Sequence, residues 1–363
     1  MKSVFRHIVF IVVALSVMFL SSSAMAQKVS ENDSVASGKF DAKSFIFGHT
    51  SDAYEFHISK VGDKPISICL PVIVRSKERG WFAFSSRHLE EGETYKGFYI
   101  APKGSKYEDK VVELDSTGNV VRPFDLSITK NVFAIFLSCA IMLALFLPAA
   151  RRYKKNPLGT PNKEQGLVEW LSFMLIDDVI KPAVGPKYQK FAPYLLTAFF
   201  FIFINNLMGL IPIFPFGANV TGNIAVTMVL ALFTYFITNV FGTKHYWKDI
   251  FWPDVPVALK LPVPLMPVIE FISTLTKPFA LMIRLFANIF AGHVIILVLM
   301  SLIFIFAGIY GAGVGAGVSV LSILLTVFMT ALELLVAFIQ AYVFTMLSAV
   351  FIGMAQTEPE EKE

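Results

Sequence analysis

The chain has 363 residues, of which 55% are hydrophobic and 16% charged, with a formal net charge of +4. Soluble domains carry about a quarter charged residues. Here the mean hydropathy is +0.63 and the apolar residues gather in long runs, which marks a membrane protein with several spans. The small net charge, and the lack of any basic run interleaved with aromatics, exclude nucleic acid as a partner.

The first 26 residues read as a signal peptide. Lys2 and Arg6 supply a positive start, Ile8 to Leu20 a short apolar core, and Ala24-Met-Ala26 a cleavage site of small residues. Residues 27–130 are polar and carry short alternating segments. Lys43 to Gly48, Tyr54 to Ser59, Ile66 to Leu70, Gly80 to Phe84 and Gly97 to Ile100 each predict a strand. The expectation is a small β-rich domain outside the cytoplasm. His49, His57 and His88 lie in it with a spacing that fits no metal-ligand pattern, so they read as surface or packing residues. Cys69 lies in this domain and Cys139 in an apolar run, so no disulfide framework is implied.

The membrane domain is expected over residues 131–355. A first span runs from about Val132 to Ala150, followed at once by Arg151-Arg-Tyr-Lys-Lys155. Basic residues next to a span favour the cytoplasmic side, which places the polar domain outside. Gln165 to Ile180 has apolar residues at helical spacing and predicts an interfacial helix. A second span covers about Phe191 to Phe214 and a third about Ile224 to Phe241, joined by an uncharged turn with Pro212, Pro215, Gly217 and Gly222. Lys244 to Lys248 reads as a basic cytoplasmic loop, and Pro253 to Pro267 as a stretch without a long helix. Two long apolar stretches follow, Val268 to Tyr310 and Val318 to Ala355, joined by the glycine-rich Gly311 to Gly317. A perpendicular span needs about 20 residues, so stretches of this length must tilt strongly, lie along the membrane or break. The acidic tail, 356–363, is expected in the cytoplasm after about five spans. The fold class is therefore an all-α polytopic membrane protein with a small β-rich extracytoplasmic N-terminal domain.

Three polar clusters interrupt the last two stretches. Between Pro278 and Glu333, Arg284 is the one residue with a permanent charge. A guanidinium stays protonated at ordinary pH, and placing it at membrane depth costs roughly 3 kcal/mol or more. Asn288 lies one turn on, and Ala280, Ala287 and Ala291 share the face, so a neighbouring helix can come close. His293 follows Arg284 by nine residues, about 180° around the helix and roughly 13 Å along it. Glu333 and Gln340, seven residues apart, share one face of the last helix. A titratable imidazole and a titratable carboxylate on successive helices make a plausible aqueous inlet for protons. Asn205-Asn206 in the second span and Glu270 before Lys277-Pro278 add further polar groups.

These residues resemble a known family. Leu281-Met-Ile-Arg284-Leu-Phe-Ala-Asn288-Ile-Phe-Ala-Gly-His293, with Glu333-Leu-Leu-Val-Ala-Phe-Ile-Gln340, is similar to subunit a of the F-type ATP synthase. Asn206-Leu-Met-Gly-Leu-Ile-Pro212 and Glu270 with Lys277-Pro278 extend the resemblance, which covers about residues 130–355. It implies a bacterial inner-membrane stator subunit beside a rotating c-subunit ring, with peripheral-stalk b subunits and the other synthase subunits as partners. Protons, ahead of sodium, are the implied coupling ion, and no cofactor or metal is implied. Arg284 takes the place of the essential arginine facing the ring carboxylates, with Asn288 and Gln340 as polar neighbours. His293 and Glu333 take the half-channel open to the outside, Glu270 lies toward the cytoplasmic half-channel, and Asn206 joins the polar path. Many bacterial members carry Glu and His at the two inlet positions, the reverse of the order here. Gly209 stands where many carry Asp, and the N-terminal domain lies outside the family core.

The chain has no Gly-x-x-x-x-Gly-Lys-Ser/Thr loop, so nucleotide chemistry belongs to partners. An alternative reading is a secondary transporter whose intramembrane arginine binds an anionic substrate. It predicts an internal repeat, and the sequence carries none. A purely structural anchor, with Arg284 paired to Glu333, is the other alternative.

Overall fold

The computed structural model describes residues 52–61, 64–102, 105–115, 118–156, 163–211, 216–252 and 265–357. The expected signal peptide, the Lys43 strand, His49, Pro212, Pro215 and the residues beyond Thr357 lie outside the described residues, as does the proline-rich stretch up to residue 264. The chain forms two compact units. One comprises the residues up to Leu137 with Met208–Asn219 and Val294–Thr330; the other comprises Ser138–Leu207, Val220–His293 and the residues from Ala331 onward.

The first unit contains eight antiparallel strands among the described residues, β1 (Glu55–Val61), β2 (Lys64–Cys69), β3 (Pro71–Ser76), β4 (Gly80–Ser85), β5 (Phe98–Ile100), β6 (Val111–Leu114), β7 (Val120–Val121) and β8 (Phe124–Asp125). They form three small sheets, in the orders β1-β2, β4-β3-β8 and β5-β6-β7. Four strands fall where alternation predicts them. β3 was not expected, because only Leu70 separates it from β2 and the apolar pattern runs on. The core gathers Tyr54, Val72, Val74, Leu89, Phe98 and Val111, with Phe82, Phe84 and Tyr95 against it. Tyr54 Oη donates to Asp125 Oδ2 at 2.5 Å, tying the start of the domain to β8. Burial, and then the Asp125 carboxylate, raise the Tyr54 phenol above its ordinary pKa. Arg79 pairs with the buried Glu113 at 2.9 Å and lies over the Phe98 ring. Its guanidinium fills the space beside Gly97, whose φ of +80° suits glycine. His88 is stacked on Tyr95 with centroids 4.4 Å apart. Cys69 and Cys139 are not joined in a disulfide.

Helix α1 (Lys130–Lys155) is separated from β8 by four residues. The expected interfacial helix is α2 (Lys163–Leu175), and it does not end there. A π turn, Ile176–Ile180, and two short helical turns carry it into α3 (Tyr188–Leu210). Buried Leu171, Leu175, Val179 and Ile180 give the reason: the apolar stripe packs inside the second unit. Helix α4 (Ile224–Val240) is capped by Asn223, whose side chain accepts from Ala225 N–H. The expected basic loop is instead a short helix, α5 (Lys244–Phe251), bent 102° from α4. Thr243 caps it by accepting from Tyr246 N–H at 3.2 Å, and Tyr246 and Ile250 pack on Ala355.

The two long stretches are unbroken helices, α6 (Leu265–Tyr310) and α7 (Ala312–Gln356). At 1.5 Å per residue each is roughly 69 Å long, more than twice the hydrocarbon core of a bilayer. Pro267 sits in the first turn of α6, where a proline is tolerated. The glycine-rich joint is shorter than expected. Gly311, at φ +83°, makes the turn, and Gly313 to Gly317 are already helical. Gly315 lies so close to Ala307 that an added Cβ would come within 2.7 Å of it. That close approach holds the hairpin tip together despite the low helix propensity of glycine. Among the described residues, four helical segments are long and apolar enough to cross a membrane, and five if the bent α4–α5 pair counts as one. The chain is a mostly helical, multi-pass membrane protein with a small strand-rich N-terminal domain.

Candidate functional site

Every sequence-predicted site residue lies in the second unit, on α3, α6 or α7. Helix α6 has two distinct sides around Arg284. Leu281, Met282, Leu285 and Ile289 are buried, none more than 6% exposed. Ala280, Arg284, Ala287, Asn288 and Ala291 are exposed. The period of the apolar residues explains the division, since steps of four keep them on one stripe. What stands out beside them is a charged residue on a smooth lane of alanines that no described residue covers.

His293 and Glu333 are brought together. The imidazole Nδ1 and the carboxylate Oε1 are in direct contact, with side-chain exposures of 19% and 5%. A buried carboxylate is costly without a partner, and this contact supplies one. An imidazole touching a carboxylate sets a weak base beside a weak acid, a pair whose chemistry allows a proton to be shared. Gly292 makes the approach possible. A Cβ there would lie 3.1 Å from Glu333 Oε1 and 3.3 Å from its Cδ. Sequence reasoning missed this residue, because a glycine in an apolar helix shows only its propensity cost. Among the described residues the ion-pair partner of Glu333 is His293, and Arg284 is not paired with it.

Asn206 is 3% exposed, and both ends of its amide are hydrogen-bonded. Its Nδ2 donates to the Ala337 carbonyl at 3.1 Å, and its Oδ1 accepts from Thr221 Oγ1 at 2.6 Å. Ala337 lies one turn beyond Glu333, so this amide fixes α7 just beside the acid. Thr221 gave no sequence signal. Asn205 donates to Ser138 Oγ at 3.0 Å and to the Phe201 carbonyl at 2.7 Å. Gln340 is 5% exposed and lies on the Glu333 stripe of α7.

Glu270 is half-buried on α6, roughly 21 Å along the helix from Arg284. Its carbonyl accepts from Thr274 Oγ1 at 3.0 Å. Nearby, a cavity of about 10 Å³ is lined by Thr234, Thr238, Asn239, Tyr246, Thr274, Lys277 and Phe351 among others. That is room for about one water molecule. Lys277 holds its ammonium 5.8 Å from the centre of the Phe351 ring. A hydroxyl chain continues from the lining, with Thr234 Oγ1 2.8 Å from Tyr194 Oη and 3.2 Å from Ser348 Oγ. Among the described residues no three His, Cys, Asp or Glu side chains converge as metal ligands.

Comparison with known proteins bears on this arrangement. The family model described as ATP synthase A chain matches residues 132–353, and a domain of unknown function (DUF8433) matches residues 45–128. The ATP synthase subunit a of Chlorobium phaeobacteroides (strain DSM 266 / SMG 266 / 2430) is 38% identical over 272 residues, covering 70% of this chain and 75% of the relative. ATP synthase subunit a 2 of Prosthecochloris aestuarii is 41% identical, covering 65% of this chain and 71% of the relative. ATP synthase subunit a of Pelodictyon phaeoclathratiforme is 42% identical, covering 66% and 68%.

Proposed function

This chain belongs to the ATP synthase A chain family, and on that premise we propose that it is the stationary membrane subunit that couples proton flow to rotation of a c-subunit ring. Its partners are other subunits of the synthase, with the c ring on the Arg284 side and the b subunits of the peripheral stalk elsewhere. The N-terminal domain stands outside the cytoplasm and the C-terminus inside. Residues 1–26 act as a signal peptide and 27–130 as the outer domain.

The observation that carries the reading is the position of Arg284 on the exposed alanine lane of α6 while Glu333 is engaged by His293. A fixed cation on such a face cannot line a simple pore, because it repels cations passing straight through. It attracts an acidic side chain carried past on another subunit. A proton enters from outside past His293 and Glu333 and moves to a ring carboxylate. The neutral site enters lipid at low cost and the ring turns. After nearly a full circle the carboxylic acid gives up its proton toward the Glu270 side, and Arg284 stabilises the carboxylate that forms. Asn288 and Gln340 keep the arginine's surroundings polar, and Asn206 holds α7 in place. One charge crossing 100 mV releases about 2.3 kcal/mol, so several steps combine for each ATP.

The test is Arg284→Ala in the assembled complex. The variant is expected to assemble normally and to lose both coupled ATP synthesis and ATP-driven proton pumping. Arg284→Lys is expected to fail at least partly, since an ammonium desolvated against the ring can lose its proton. Robust pumping by Arg284→Ala would sink the assignment.

A further inference from the structure

We infer that the outer face of the β4-β3-β8 sheet is a lipid-contacting surface, seated on the anionic headgroups of the leaflet at which α1 begins. The inference rests on the reading of α1 as a membrane span, and on nothing about the proton path.

Alternation along β3 buries Val72, Val74 and Ser76 and turns Pro71, Ile73 and Arg75 outward. The register then builds two outward rows. One is Trp81–Arg75–Phe124, and the other places Ala83 opposite Ile73, with Leu126 bonded through its N–H to the Ile73 carbonyl. The exposed side of an antiparallel sheet is ordinarily polar. Here Trp81 is 55% exposed, Phe124 62% and Leu126 54%. The Trp81 and Phe124 rings meet edge to face at 6.4 Å, and the Arg75 guanidinium lies 5.7 Å from the centre of the Trp81 ring. An aromatic pair around an arginine matches the membrane interface, where indole rings settle at headgroup depth and guanidinium groups bind phosphate.

Continuity with α1 says what covers this face. Ile128 N–H bonds the Pro71 carbonyl at 3.1 Å, and Lys130 N–H bonds the Ala53 carbonyl at 2.9 Å. Asn131 N–H bonds Asp52 Oδ1 at 3.1 Å, and Phe133 packs edge to face on Phe56. No slack linker separates sheet from helix. The apolar run of α1 begins at Val132, six residues after Leu126, at most ~20 Å away in extended chain. Charge agrees: Lys77 and Arg122 are exposed beside the rows, Asp125 is turned to Tyr54, and Glu78 is the exposed acid of the β3–β4 turn.

The experiment uses the full chain in the purified synthase, in lipid nanodiscs, with Cys69→Ser and Cys139→Ser. Spin labels are placed singly at Ala83→Cys and Leu126→Cys on the face, at Glu93→Cys off it, and at Phe136→Cys on the exposed side of α1. The labels at 83 and 126 are expected to relax several-fold more with oxygen than with a soluble nickel chelate, relative to the label at 93. Replacing phosphatidylglycerol by phosphatidylcholine, or introducing Arg75→Glu with Arg122→Glu, is expected to lower that ratio at 83 and 126 and leave 136 unchanged. Soluble nickel reaching 83 and 126 as freely as 93 would overturn the proposal, as would immobilised labels shielded from both reagents, which would mean that protein covers the face. Free access of nickel to 136 as well would instead show that the reading of α1 as a span had failed, and the proposal with it.

Discussion

Glu333 is an acid at 6% exposure in a helix whose neighbours are almost all apolar. Two features hold it there: the imidazole of His293 and the missing side chain at Gly292. The sequence made His293 and Glu333 candidates by residue type and helix phase. It could not show that they touch, because contact between two helices depends on what is absent from the surface between them. Gly292→Ala tests this. Its methyl group would lie 3.1 Å from the carboxylate oxygen, so Glu333 must shift by a few tenths of an ångström. Misplacement of about 1 Å can cost up to about a hundredfold, so proton translocation is expected to fall roughly tenfold. Assembly is expected to stay normal, since the methyl meets a side chain and no backbone. Proton pumping read with a pH-sensitive dye, beside a native gel for assembly, checks both halves. Arg284 needed no such detail. A lone charge in an apolar run, with alanines at helical spacing, was readable because helix phase alone separates the exposed and buried sides.

Among the elements, long apolar runs gave the helices, and short strands and capped turns were hidden. β8 has two residues and β6 four, too few for alternation to register. The lysines of α5 outweigh its apolar side and suggest a loop, while the Thr243 cap and the Ala355 contact favour the helix. Tight packing is equally invisible in one dimension. Gly353 on α7 lies against the Ala183 carbonyl, and an added Cβ would fall on that oxygen. The backbone of the Lys181–Val184 turn cannot rotate away as a side chain can. Gly353→Ala is expected to cost about 1–3 kcal/mol, as for overpacking elsewhere, seen as a lower melting temperature of the purified chain in detergent. In the N-terminal domain, Tyr54→Phe keeps the ring in the core and removes the donor to Asp125. A loss of about 1–2 kcal/mol is expected. The sign with pH follows from the raised phenol pKa. The fold favours the neutral hydroxyl, so its stabilisation is full below pH ~10 and is lost as pH rises further. Protease resistance of the domain in sealed vesicles should therefore hold up to pH ~10 and fall as the pH is raised beyond it in the wild type. The fall should be smaller in Tyr54→Phe, which starts lower.

At the scale of the whole molecule, sidedness turns on whether the α4–α5 pair crosses the membrane. Four spans would return the C-terminus to the side of the N-terminal domain, and five would place it opposite. Two observations favour five. Helix α4 has 17 residues, about 26 Å, and reaches across most of a hydrocarbon core of about 30 Å. The 102° bend then lets α5 lie along the surface with Lys244 and Lys248 exposed. Those lysines end α4 as Arg151 to Lys155 end α1, which puts both basic clusters on one side, as the clustering of positive charge on the cytoplasmic side requires. The test labels single cysteines with a membrane-impermeant maleimide in intact cells and in inverted vesicles, in the Cys69→Ser, Cys139→Ser background. Glu93→Cys in the N-terminal domain is expected to react in cells alone, and Thr357→Cys beyond α7 in inverted vesicles alone. Both sites reacting from the same side would leave α4 and α5 short of a crossing. Helices α6 and α7 would then enter the membrane the other way up, with the His293–Glu333 pair toward the cytoplasm and Glu270 toward the outside, the reverse of the proposed proton path.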